Sequence, residues 1–68
     1  MKPVNGKRLC RALESKGWAL DHIHSSHHVY RKPGERLPLS VPVHGNRDMA
    51  TGTQRKLMRQ AGLTDEDL

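Results

Sequence analysis

Residues His22 to Lys32 read HIHSSHHVYRK, and how this stretch folds decides how the rest of the chain is arranged. From Trp18 to about His24 the side chains alternate with a period of two, with Trp18, Leu20 and His22 on one side and Ala19, Asp21 and Ile23 on the other. A period of two marks a strand rather than a helix. The HSS of His24 to Ser26 offers a turn, and a second run follows from His27 to Lys32. In that run His27, Val29 and Arg31 face one way and His28, Tyr30 and Lys32 the other. The stretch reads as a β-hairpin, and it carries four of the five histidines.

Working outward, KPGE places Pro33 and Gly34 where a type II turn wants them. The third strand runs from Arg36 to Val43, with Leu37, Leu39, Val41 and Val43 alternating with Pro38, Ser40 and Pro42. Two prolines four apart remove N–H donors from the same lateral side, so this strand is expected at a sheet edge. Before the hairpin, Asn5 to Lys16 reads as a helix. Asn5 is its N-cap, Leu9, Ala12 and Leu13 form its apolar stripe, and Gly17 ends it. A last helix spans about 52–61, with Thr51 and Gln54 as a capping box, Leu57, Met58 and Ala61 as the buried stripe and Gly62 as the stop. Thr64 restarts a cap pattern in an acidic tail, residues 64–68, too short to grow a helix. The order is α-β-β-β-α, an α+β domain with a three-stranded antiparallel sheet and two helices on one face.

Composition bounds what such a domain can do. The 68 residues fit a single domain, residues 1–68, and a chain this short buries only about 60% of the surface it exposes when unfolded. With 34% apolar residues and no Phe, the core is thin and leaves no room for a deep cofactor pocket. One cysteine, Cys10, forms neither an internal disulfide nor a Cys-based zinc site and reads as an apolar filler in the first helix. No apolar run approaches the roughly 20 residues of a membrane span, and the N-terminus has no signal-peptide core, so the protein reads as cytoplasmic. The net charge of +5 points to a polyanion or an acidic partner, the more so because Asp65, Glu66 and Asp67 lie in the tail and leave the body more basic.

The histidines admit three uses. As metal ligands, His22 and His24 share a strand face about 6.6 Å apart, with His27 or His28 joining across the hairpin. No Asp, Glu or Cys stands beside them in a familiar ligand spacing, so no metal and no cofactor is expected. As structural groups, His22, His24 and His44 fit half-buried positions with one ring nitrogen bonded and the other wet. As a catalytic group, an imidazole with an ordinary pKa of about 6.5 suits proton transfer near neutrality. Lys7, Arg8, Arg11, Arg31, Lys32, Arg55, Lys56 and Arg59 are the residues expected to track the phosphates of a polyanion.

Four pieces in order, LESKGWAL (13–20), SSHHVYRKP (25–33), LSVPVHG (39–45) and GTQRKLMRQAGLT (52–64), make the chain resemble the HicA toxins of HicA–HicB toxin–antitoxin systems, from the first helix to Leu63. The resemblance implies a double-stranded-RNA-binding-domain-like fold, matching the order above. It also implies an mRNA interferase, an endoribonuclease cleaving mRNA, held in check by a HicB-like antitoxin. The family's Gly-Ser/Thr-His-His motif places its required histidine at His27, and Ser25 stands where the family usually carries glycine. Ser26, His28 and Arg31 are the candidate supporting groups, Arg31 as a fork donor to the phosphate. His28 points to the opposite strand face, which makes it a poor second catalytic residue. The alternatives are a non-catalytic RNA-binding module of the same fold and a metal-binding domain on His22, His24 and His27. Oligomeric state and target sequence are not legible.

Overall fold

A computed structural model describes all 68 residues, in the order α1 (Gly6–Ser15), β1 (Ala19–His24), β2 (His27–Arg31), β3 (Leu39–Pro42) and α2 (Thr51–Ala61), followed by a 3₁₀ turn at Asp65–Asp67. The sheet is an antiparallel meander in the order β1-β2-β3, so the proline-bearing strand does lie at an edge. Both helices contribute to one cluster of 14 buried apolar residues that includes Tyr30, Leu39 and Val41 from the sheet.

The caps explain where α1 begins and ends. The Asn5 side chain accepts a hydrogen bond from the Arg8 amide at 2.8 Å. Gly17, at φ +95°, follows the last turn, with its N–H bonded to the Glu14 carbonyl and that of Trp18 to the Leu13 carbonyl. This is the Schellman pattern, in which a left-handed residue lets two amides close the helix. Gly62 ends α2 in the same way, its N–H reaching the Arg59 carbonyl and that of Leu63 the Met58 carbonyl. Gly34 at φ +88°, with the Glu35 N–H bonded to the Lys32 carbonyl, forms the expected turn before β3.

Four expectations are corrected. First, α2 begins one residue early, with Ala50 as N-cap and no side-chain cap bond. Gln54 is fully buried and holds the N-terminal segment, its Oε1 accepting from Val4 N–H at 3.2 Å and its Nε2 donating to the Lys2 carbonyl at 2.6 Å. A buried amide with both ends satisfied serves the fold better there than a capping box open to water. Second, β3 is shorter than the alternation suggested, and Leu37 lies ahead of it, 63% exposed. Third, the acidic tail does fold back. Thr64 and Asp67 form a reciprocal capping box, Leu68 is buried, and the Arg8 guanidinium donates to the Leu68 carbonyl.

The fourth correction concerns β1. Its register against β2 shifts between Leu20 and His22, a bulge at Asp21. Leu20 pairs with Tyr30 on the helix side, while beyond the bulge Ile23 pairs with His28 on that same side and His22 with Val29 on the open side. A bulge inserts one residue and reverses the phase of the alternation. Leu20 and Ile23, three apart, thus share a face that strict alternation would have denied one of them.

Three core details set the energetics. Tyr30 donates its hydroxyl to Glu14 Oε2 at 2.6 Å, tying the central strand to α1. Burial first, and then the bond to Glu14 and the neighbouring Cys10 thiol, push the Tyr30 phenol up. Burial likewise pushes the Cys10 thiol up, keeping it neutral as a core filler. Trp18 is buried as well, but its indole N–H has no partner, a loss of about 1–3 kcal/mol that a thin core must absorb.

Gly6 opens α1 directly against the Pro42 carbonyl and the Val43 Cα, so a Cβ there would strike backbone. Gly6→Ala is therefore expected to destabilise the domain by about 1–3 kcal/mol, through overpacking, despite alanine's better helix propensity. Gly52, with open space around it in the first turn of α2, should show the opposite sign, Gly52→Ala gaining about 0.4–1 kcal/mol. Urea denaturation of the two variants checks both.

The Asp67 carboxylate is held below the usual carboxylate range by the Thr64 amide first and by Lys16, 3.1 Å away, second. Its contribution to stability is present above the ordinary carboxylate pKa and fades as the pH falls through the depressed value. Thermal melts from neutral to strongly acidic pH should show that acid-side loss shrink in Asp67→Asn.

Candidate active site on the open sheet face

Because both helices lie on the face of Tyr30, Leu39 and Val41, the other face of the sheet has no cover. The register places three rows of side chains on it: Ala19 beside Arg31, His22 beside Val29 and Ser40, and His24 beside His27 and Pro42. His22, His24, His27 and Arg31 are all exposed there. Val29 and Pro42 are half-buried and form the apolar floor of the surface. Every residue of β1 is exposed.

Each sequence-derived candidate can now be placed. His27 opens β2 at the hairpin turn, on the open face. His28 is half-buried on the helix side, in the row of Ile23 and Val41, away from His27. Ser26 is half-buried in the turn and its carbonyl accepts the Val43 N–H at 2.8 Å, which ties the hairpin tip to the end of β3. His22 and His24 are exposed rather than half-buried, and so is His44, just beyond β3. The His22 Nδ1 lies 2.7 Å from Asp21 Oδ2, a contact across the bulge residue itself. No group of three His, Cys, Asp or Glu side chains is arranged to hold a metal ion.

Arg31 shares the face of His27 but stands four residues along β2, roughly 13 Å away at about 3.3 Å per residue. A guanidinium there is better placed for a neighbouring phosphate than for one lying against His27. The basic residues of the helices are further off. Lys7, Arg11, Arg55, Lys56 and Arg59 are exposed on the helical layer, behind the sheet as seen from His27. Arg8 is half-buried, with its guanidinium on the Leu68 carbonyl, and Lys32 is half-buried near Gly17. The sequence pattern could not say that the sheet separates these basic residues from the histidines.

The molecule is thus a two-layer α+β domain with helices on one face of its sheet and exposed imidazoles on the other. The family described as the HicA toxin of bacterial toxin-antitoxin matches residues 6–63, and no curated protein matches the chain. The chain belongs to the HicA toxin family, whose members are the toxins of toxin–antitoxin pairs. No helix of the chain is long and apolar enough to cross a membrane.

Ser25 is the only non-glycine residue with positive φ, at 57°. An L-residue in the left-handed region costs roughly 1–2 kcal/mol, because its Cβ approaches the following carbonyl. Ser25→Gly should therefore raise stability by about 1 kcal/mol without altering the fold, measured as a shift in urea midpoint at unchanged slope.

Proposed function

We propose that the chain is an endoribonuclease toxin that cleaves mRNA without a metal, with His27 as a proton-transfer group, and that a HicB-like antitoxin neutralises it in the cytoplasm. The observation that carries the reading is the position of His27: exposed, at the mouth of a hairpin, on a sheet face that nothing in the chain covers. RNA supplies its own nucleophile, the 2′-OH. The protein has only to remove that proton, protonate the leaving 5′-oxygen and stabilise charge on phosphorus.

Arg31 supports the reading as an anchor for the strand, about two side-chain rows from His27 on the same face. The cations of the helical layer add long-range attraction, and a flexible single strand can pass from one layer to the other over the edge of a body about 18 Å thick. An acidic antitoxin seated on the open face would bury His27 and Arg31 together. It would also stabilise this small toxin by mass action.

Purified wild type is expected to cut a long synthetic RNA in the presence of EDTA. His27→Ala, shown folded by circular dichroism, should lose at least about 10²-fold in rate. Binding of RNA without cleavage by wild type would instead favour the RNA-binding module. Equal cleavage by both proteins would remove His27 from the site.

A further inference from the structure

His24 and His27 flank the two-residue turn Ser25–Ser26 and are direct register partners across the β1–β2 ladder. Opposed residues of antiparallel strands put their side chains on one face, with Cβ atoms about 4.5–5.5 Å apart. Both imidazoles are exposed, and no helix packs against them. The two-residue turn fixes this pairing, and the bulge between Leu20 and His22 lies beyond it. Continued without a bulge from Leu20, which faces the helices, β1 would turn His22 and His24 inward and Ile23 outward. The inserted residue lets Leu20 face the helices while both histidines keep to the face of His27.

Among the residues of the three strands, the remaining charged or titratable groups on that face are His22, engaged with Asp21, and Arg31 at the far row, while the exposed His44 follows two residues beyond Pro42, past the end of the ladder. From β3 the face receives only Ser40 and Pro42. His28 belongs to the opposite side. Close to His27, then, the one group able to exchange a proton directly across the ladder is His24.

Cleavage of RNA through its 2′-OH needs a group without a proton and a group with one in the same transition state, and one imidazole cannot be both. We propose that His24 is the second proton-transfer residue, paired with His27 on the scissile phosphate of RNA; this rests on the ribonuclease reading above. The neutral imidazole takes the 2′-OH proton as the 2′-oxygen bonds to phosphorus. The P–O5′ bond breaks, and the imidazolium gives its proton to the departing oxygen. The products are a 2′,3′-cyclic phosphate and a 5′-hydroxyl, and the two rings have exchanged protonation states, which water restores. Before transfer the imidazolium also places a positive charge at the phosphate, where Arg31 does not easily reach.

The test is the pH dependence of kcat/KM on a short RNA with a single cleavable linkage, in EDTA, for wild type, His24→Ala, His24→Gln and His22→Ala, each verified as folded by circular dichroism. Wild type should give a bell-shaped profile, reporting one acid and one base. Both His24 variants should lose one limb of the bell and fall by about 10²–10⁴-fold, chiefly in kcat. A folded His24→Ala that keeps both limbs and stays within a few-fold of wild type overturns the proposal. So does loss of a limb in His22→Ala with His24→Ala unchanged. These outcomes, with His27→Ala inactive, would leave the ribonuclease reading standing. Failure of wild type to cleave would remove both.

Discussion

The 14 buried apolar side chains lie on one side of the three-stranded sheet, and the other face, floored by Val29 and Pro42, is left open. A chain of 68 residues cannot easily cover both faces, since that would need another layer of helix or strand. The two helices therefore share one side, with α1 tied to the central strand through the bond from Tyr30 to Glu14. The bare side is where an exposed histidine can meet a large polyanion without a pocket. Smallness and an open sheet face are here two results of one shortage of apolar residues.

Register then decides which groups occupy that surface. In a strand, the identity of the exposed set changes with a shift of one residue. The bulge at Asp21 makes such a shift within β1, keeping Leu20 and Ile23 on the helix side while turning His22 and His24 outward. Ser25 completes the arrangement at some cost in backbone strain, since a tight reversal there requires a left-handed residue. Local strain and local irregularity thus both gather at the histidine-bearing hairpin, while the two helices end in unstrained glycine caps.

Much of this was legible in the residues. Asn5, Gly17, Gly34 and Gly62 are local signals read by local rules, and each acts where the sequence placed it. Pro38 and Pro42 announced an edge strand because a missing N–H constrains pairing whatever the context. Gln54 misled because its partners, Val4 and Lys2, lie some fifty residues away and no spacing rule reaches them. The phase of β1 misled for a related reason: a bulge is fixed by what lies opposite, and only the Leu20–Ile23 spacing of three hinted at it. For the candidate site, the resemblance pointed to His27, and the hairpin reading allowed either His27 or His28 to come across to His24. That His27 is the residue opposite His24 is a property of two strands in register. The separation of the helical cations from the histidines is likewise a matter of layers, invisible to a charge count.

The meander has a kinetic side as well. Each strand pairs with its neighbour in sequence, so the sheet needs only the closure of short loops, and contacts of low sequence separation favour rapid folding. The distant contacts come from the terminal segments: Met49 N–H to the Val4 carbonyl, Gln54 to Lys2 and Val4, and Arg8 to Leu68. Those close the largest loops and carry the highest entropic cost. The hairpin bearing His24 and His27 is thus closed by the shortest loop, and the segments that wrap the helical layer by the longest.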